Sequence, residues 1–186
     1  MKLTIADRSA EKKRDSRRLR REGNIPAIIY QNQSAGEMVS IPTAEFQTVL
    51  RQIQKGHLST TIFELTDSNG KIRKAIIKEI QYHPTTYAVM HMDFAQLQDS
   101  NLVKIKVPIE IIGAALCKGV KEGGVVRVVI RNAEVSCLPE NIPAFLELDI
   151  SSLGMRDKKR LSDIQFPEGV TPRKALNEVV VVIVKR

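Results

Sequence analysis

One stretch constrains this chain most: residues 11–30, EKKRDSRRLRREGNIPAIIY, where dense charge runs directly into an apolar segment. Residues 11–21 hold seven cations and two acids, a net charge of +5 out of +8 for the chain, with Leu19 as their one apolar side chain. Crowded like charges do not stabilise a folded core. The cluster therefore indicates a surface that binds a polyanion, most often a nucleic-acid backbone. A solvated basic arm is the alternative.

The residues after the cluster favour an anchored segment over a loose arm. Glu22-Gly23-Asn24 has the composition of a turn, and Pro26 biases the residue before it towards an extended backbone. Residues 27–30, AIIY, then form a short apolar run typical of a buried strand. We therefore interpret the cationic segment as a basic loop mounted on a core strand, a common way to present binding residues.

Residues 1–94 predict an α+β N-terminal domain, a β-barrel-like sheet with one or two helices. Apolar residues at helical spacing predict a helix that starts at Thr43 and ends at Gly56. Asn69-Gly70 between two apolar runs predicts a hairpin. The strands expected in this domain cover residues 2–7, 26–30, 38–41, 60–65, 72–80 and 87–94.

Residues 95–186 predict a second domain, all-β or mainly β. Residues 95–101 are polar and lack periodicity, so we place the boundary there. The strands expected beyond it cover residues 102–112, 125–138, 145–150 and 179–184. Short strands with regular Gly and Pro turns suggest a sandwich or barrel. A second basic run at 156–160 favours a solvated loop, with contact to RNA or a neighbouring protein as the alternative.

Several classes of function lack support in the sequence. Cys117 and Cys137 are too few for a disulfide framework or a zinc site, and the three His show no ligand spacing, so we expect no metal and no cofactor. No apolar run reaches the ~18 residues of a membrane span. With no apolar signal region at the N-terminus, we expect a cytoplasmic protein.

The segment His91-Met92-Asp93-Phe94 alternates polar and apolar residues. On a strand, His91 and Asp93 share one face while Met92 and Phe94 share the other. The polar pair could be half of a catalytic dyad, a satisfied pair at a strand end, or an RNA contact. The chain has no nucleophile in a suitable turn and no phosphate-binding glycine motif, so we expect no enzyme and no small-molecule substrate.

Ser16-Arg17-Arg18-Leu19-Arg20, followed by Pro26-Ala27-Ile28-Ile29-Tyr30, resembles the N-terminal signature of bacterial large-subunit ribosomal protein twenty-five and its longer CTC (general stress protein) relatives. The second half resembles the C-terminal domain of those relatives at 107–109, at 119–124, and at 137–139 with 142–143. The resemblance implies binding of 5S ribosomal RNA by the first domain. It also implies that Gln81 and the His91-x-Asp93-Phe94 stretch belong to the RNA-binding surface.

The resulting hypothesis is a structural component of the large ribosomal subunit. Its expected partners are 5S ribosomal RNA and other large-subunit components. Arginines and lysines should hold phosphates with Ser16 as a further donor, while Tyr30, His91 and Asp93 face the nucleotides. The expected RNA-binding residues are Arg8, Lys13, Ser16, Arg17, Arg20, Tyr30, Gln81, His91 and Asp93. A stress-linked protein-interaction module, with RNA binding secondary, is the alternative.

Overall fold

The computed structural model describes residues 1–8, 13–31 and 36–185, and of Lys13 it describes the backbone alone. The chain divides into two compact units, Met1–Gln98 and Asp99–Arg186. Each unit forms its own sheet or sheets. No helix in the described ranges is long and apolar enough to cross a membrane.

The first unit is a strand-rich structure with two helices among its described residues. Its strands are β1 (Lys2–Thr4), β2 (Ala6–Asp7), β3 (Asn24–Tyr30), β4 (Glu37–Pro42), β5 (Ile62–Thr66), β6 (Ile72–Tyr82) and β7 (Val89–Gln96). Its helices are α1 (Lys13–Arg21) and α2 (Thr43–Gln52). The seven strands form one sheet in the order β1-β5-β6-β7-β3-β4-β2.

This sheet is barrel-like because its two edge strands are neighbours in the chain. At one edge β1 pairs in parallel with β5, and at the other edge β2 pairs antiparallel with β4. Ile5 alone separates β1 from β2, so the two edges are held close together and the sheet wraps around a core. The structure confirms the prediction of an α+β domain built on a barrel-like sheet.

The apolar core of the first unit lies inside this sheet and under α2. Phe46 of α2 is fully buried, and the rings of Phe63 and Phe94 meet edge to face at 6.1 Å. Burying each such side chain stabilises the fold by about 1.5–3 kcal/mol. Met92 and Phe94 on β7 are both fully buried. Strand alternation therefore turns His91 and Asp93 to the outside of the barrel.

The basic segment is a helix, so the prediction of a loop there is wrong. Residues 13–21 form α1, whose Arg18 makes an i,i+4 ion pair with Glu22 at 2.8 Å. Arginine and lysine are good helix formers, so the segment can be helical without an apolar stripe. Helix α2 also differs from its prediction, because it ends at Gln52 and Ile53 already has an extended backbone, three residues before Gly56.

The second unit is mainly β. Its strands are β8 (Val103–Ile112), β9 (Gly124–Val128), β10 (Asn132–Cys137), β11 (Leu146–Asp149), β12 (Lys158–Arg160), β13 (Thr171–Pro172) and β14 (Val179–Lys185). One short helix, α3 (Lys118–Lys121), precedes β9. Strands β11-β8-β10-β13 form one sheet and β12-β14-β9 another. This architecture confirms the prediction of a mainly β second domain.

Two predictions in the second unit are corrected. The run 125–138 is two strands in different sheets, because β9 pairs with β14 whereas β10 pairs with β8. The second basic run, expected as a solvated loop, contains the edge strand β12, which pairs with β14. Cys117 and Cys137 are free thiols and both are buried.

Candidate nucleic-acid interface

The outer wall of the barrel brings together four of the residues expected to bind RNA. Strand β7 lies between β6 and β3, so its outward side chains are flanked on both sides. Gln81 on β6 is the register partner of His91. On the other flank, Tyr30 of β3 lies two residues beyond Ile28, the register partner of Asp93. His91, Asp93, Gln81 and Tyr30 therefore share one outward face.

His91 and Asp93 form a close pair on this wall. Nδ1 of His91 lies 2.7 Å from Oδ1 of Asp93, an ion-pair contact when the imidazole is protonated. Although the two atoms are close, this buried Nδ1 makes no hydrogen bond with a described residue. The side chains are 18% and 23% exposed, so a ligand can reach both. The pair thus retains hydrogen-bonding capacity for a partner.

Two arginines are fixed to the rim of this wall by backbone carbonyls. Nε of Arg20 donates to the carbonyl oxygen of Met90 at 3.1 Å, immediately before His91. Nε of Arg8 donates to the carbonyl oxygen of Val39 at 2.9 Å on β4. Each side chain is thereby immobilised while part of its guanidinium stays available for another acceptor.

The charged form of Arg8 is disfavoured by its surroundings. Burial, and then the positive charge of Arg20, lower the pKa of Arg8 below its ordinary value. Nη1 of Arg8 is buried and has no hydrogen-bond partner in the part of the chain that the structure describes. Neither arginine has a carboxylate within ion-pair distance among those same residues. An anion bound close to Arg8 would favour its charged form.

The helical state of α1 sorts its charges onto two faces. Positions 13, 16, 17 and 20 follow the i, i+3, i+4, i+7 spacing of a single helix face. Arg20 reaches β7 from this face, and Arg17 on it is exposed. Ser16 is half-buried, and the side chain of Lys13 lies outside the described residues. Arg18, on the opposite face, is paired with Glu22.

Two features of the wall do not follow from the sequence pattern. Glu79 of β6 is the register partner of Asp93 and is exposed, so a second carboxylate lies on the same face. A register shift between Ile77 and Glu79 breaks the strand alternation, so the outward position of Glu79 cannot be predicted from the sequence pattern. Gly36 is the second: a Cβ there would lie 2.6 Å from Cγ2 of Ile28 and 3.0 Å from Cε1 of Tyr30. Glycine thus lets the backbone lie against the Tyr30 ring.

The described residues include no cluster of three or more acidic, His or Cys side chains that could hold a metal ion.

The fold and the surface together define a class of protein. It is a basic, β-rich protein of two units, and the barrel-like first unit carries a cationic helix beside a polar wall. Comparison with known proteins is consistent with this class over the whole chain.

Two family models match the chain, one in each unit. The model described as the Ribosomal L25p family matches residues 3–94, and the model described as Ribosomal protein TL5, C-terminal domain, matches residues 102–186. The chain is also similar to curated proteins named large ribosomal subunit protein bL25. It is 41% identical to that of Chlamydia abortus, 40% to that of Chlamydia muridarum and 39% to that of Chlamydia pneumoniae, each over 186 residues and the full length of both chains.

The chain therefore belongs to the ribosomal L25p family, in the long form that carries the TL5-type C-terminal domain. This membership confirms the resemblance drawn from residues 16–30 and 107–143.

Proposed function

We propose that the protein is a cytoplasmic component of the large ribosomal subunit that binds 5S ribosomal RNA through its first unit. The binding surface combines α1 with the outer wall formed by β6, β7 and β3. The similar proteins carry the name of a large-subunit component, which supports the ribosomal part of the proposal. The RNA part rests on the geometry of the first unit.

The observation that carries the proposal is the fixed pair of Arg8 and Arg20. Both guanidiniums are held by carbonyl oxygens, and the positive charge of Arg20 acts together with burial to lower the pKa of Arg8. A phosphate accepts charge-assisted hydrogen bonds, and its negative charge reverses the sign of this interaction. Because Arg20 lies beside His91, a phosphate bound there would bring its nucleotide onto the polar wall.

The polar wall would supply specificity. A-form RNA hides its major groove, so a protein reads the wide minor groove or an irregular loop, where 2′-hydroxyls and base edges are exposed. Gln81 and His91 can donate hydrogen bonds, and Asp93 accepts them. Asp93 gains nothing from a phosphate, so its place on the wall is explained by an acceptor role towards a base or a ribose.

The same geometry favours recognition over catalysis for the His91–Asp93 pair. Their register partners on the flanking strands are Gln81, Glu79 and Ile28, none of which carries a hydroxyl or thiol that an imidazole could activate. A dyad would need such a group within hydrogen-bond reach of the imidazole. We therefore assign the pair to binding.

Salt titrations of two arginine variants on purified 5S ribosomal RNA test the proposal. Arg20→Gln removes the proposed phosphate contact, so affinity should fall and the slope of log affinity against log salt should shrink by about 0.7–0.9. Arg51→Gln is the matched control, because it removes the same charge from an exposed position on α2. The proposal fails if the wild type binds independently of salt, or if both variants behave alike.

A further inference from the structure

The loop between β6 and β7, residues 83–88, is a firmly built turn. The backbone N–H of His83 donates to the carbonyl of Ala88 at 2.8 Å, and that of Tyr87 donates to the carbonyl of His83 at 2.9 Å. Nδ1 of His83 also lies 3.3 Å from the N–H groups of Thr85 and Thr86, which donate to it. The loop therefore holds its side chains in defined positions.

Tyr87 at the end of this loop has an unusual backbone. Its φ is +54°, and among the described residues only Arg156 is another non-glycine residue with positive φ. The left-handed region is disfavoured for a bulky side chain, so the hydrogen bonds of the turn hold Tyr87 there against its own preference. Residues held in such conformations cluster at ligand-binding sites.

The ring of Tyr87 has no packing role that would explain this conformation. The residue is 77% exposed, the most exposed of the large apolar and aromatic side chains in the described ranges. No aromatic ring or cation in those ranges contacts it, since the one ring pair found there joins Phe63 and Phe94. A strained backbone thus presents a bare aromatic face to solvent.

The position of Tyr87 connects it to the candidate interface. Val89, two residues later, is the register partner of Tyr82, and His91 is the partner of Gln81. Between them, the carbonyl of Met90 holds Arg20. At ~3.3 Å per residue, Tyr87 lies within about 13 Å of His91 along the chain. Tyr87 therefore lies in the loop that precedes the end of β7 to which Arg20 is bound.

We propose that the Tyr87 ring stacks on an unpaired base of the RNA whose backbone Arg20 holds, an assignment that rests on the proposed function. Unpaired bases of structured RNA can be splayed out and stacked on aromatic side chains. Every base offers a π-face, so one exposed ring suffices to bind one base. In this arrangement Arg20 binds the RNA backbone and the Tyr87 ring stacks on the adjacent unpaired base. The polar wall contacts the paired region of the RNA.

Tyr87→Asn and Tyr87→Phe test the ring itself on 5S ribosomal RNA. Asparagine tolerates positive φ, so Tyr87→Asn removes the ring without disturbing the turn, and its melting temperature should not fall. Affinity should drop roughly 5- to 150-fold with an unchanged salt slope, while Tyr87→Phe keeps wild-type affinity. On a fully paired RNA duplex the three proteins should bind alike. Ile72→Asn, an exposed position at the other end of β6, is the control.

A second readout uses fluorescence, because the chain has no Trp. Tyr87→Trp places a single indole in the loop, and stacking on a base should quench it when 5S ribosomal RNA is added. Ile72→Trp should stay unquenched. The stacking proposal is overturned if Tyr87→Asn binds 5S ribosomal RNA with full affinity, or if it loses as much affinity for the paired duplex. It is also overturned if Trp at position 87 stays unquenched in a bound complex. Failure of the wild type to bind 5S ribosomal RNA would instead overturn the proposed function.

Discussion

At the scale of single residues, the unusual feature of the wall is its acidity. Asp93 and its register partner Glu79 place two carboxylates on a face that we propose for a polyanion. Long-range electrostatic repulsion from a polyanion disfavours both carboxylates. Each of them must therefore make a specific hydrogen bond to the RNA or lower the binding affinity. The two differ in setting, since Asp93 is partly buried against His91 whereas Glu79 is exposed. This difference allows the two explanations to be separated.

We predict that Asp93→Ala weakens binding to 5S ribosomal RNA by roughly 1–3 kcal/mol with an unchanged salt slope, because a base or ribose loses its acceptor. Glu79→Ala makes the same charge change beside it and should bind equally or more tightly. Salt titrations on 5S ribosomal RNA and on an unrelated hairpin give both quantities, with circular dichroism to confirm the fold. If the two variants behave alike, Asp93 is not a reader of RNA.

A second residue-scale prediction concerns Arg73 and acid stability. Arg73 contacts Glu37 through two hydrogen bonds and lies 3.7 Å from Asp67. The hydrogen bond from Arg73 holds the pKa of Glu37 below its ordinary value of 4.5. A lowered folded-state pKa means that this carboxylate stabilises the fold above pH 4.5, and that the contribution is lost as pH falls through the lowered value.

Glu37→Gln should therefore be less stable than the wild type at neutral pH, and the difference should vanish in acid, where Glu37 itself is protonated. Denaturant unfolding of both proteins at a series of pH values measures it. A difference that stays constant from neutral pH into acid would show that the carboxylate charge is not what Arg73 recognises.

At the scale of elements, α1 shows what sequence patterns can and cannot reveal. The residues that we propose for binding at positions 16, 17 and 20 come from a sequence pattern that does not indicate a helix, yet the helix places them on one face. The helix itself was missed because helices are recognised by apolar periodicity, and Leu19 is the segment's one apolar residue. The charge density of the segment predicts an anionic partner. Its helical backbone follows from the helix propensity of arginine and lysine.

The corner between β9 and β10 was missed for a related physical reason. Residues 129–131 lack Gly and Pro, so no turn signal interrupts the run 125–138. Tertiary hydrogen bonds make the corner instead: Val129 donates to the carbonyl of Val180, whereas Arg131 accepts from the N–H of Ile109. The two ends of the run are thus drawn into different sheets by partners that a local pattern does not contain.

The two faces of α1 give an element-scale prediction. Arg17→Ala removes a cation from the face that carries Arg20, so binding should weaken and the salt slope should shrink by about 0.7–0.9. Arg18→Ala removes the same exposed charge from the opposite face, where Glu22 already neutralises it, and should change either quantity little. Alanine favours helix, so neither variant should unfold α1. Equal losses would mean that α1 acts as a diffuse charge without a binding face.

At the scale of the whole molecule, the positive charge is concentrated in two short runs, residues 11–21 and 156–160. Residues 1–98 hold 15 Lys and Arg against 10 Asp and Glu, a net charge of +5, while residues 99–186 hold 14 against 11, a net of +3. The segment 11–21 alone carries +5, so the rest of the first unit is neutral. A field focused on α1 would steer an RNA to the wall beside it. In the second unit, residues 156–160 hold four cations and one acid, which equals that unit's whole net charge of +3.

The last prediction is that residues 1–98 fold alone and carry the RNA-binding activity. The core of the first unit is made by residues between Leu3 and Phe94, and every proposed contact lies within the same range. The fragment should therefore give a cooperative thermal transition, bind 5S ribosomal RNA within about threefold of the full chain, and keep its salt slope.

The complementary fragment, residues 99–186, provides the control. It should fold into its two sheets, as measured by circular dichroism, and bind the same RNA more than about tenfold more weakly, a difference of 1.4 kcal/mol. Because the first fragment lacks the +3 of the second unit, a shallower salt slope with a tenfold loss of affinity would mean that cations of the second unit also contact phosphate. If the first fragment is folded and loses tenfold in affinity but keeps the salt slope of the full chain, an uncharged part of the second unit belongs to the binding site. Either result would replace the single-unit interface with one shared by both units.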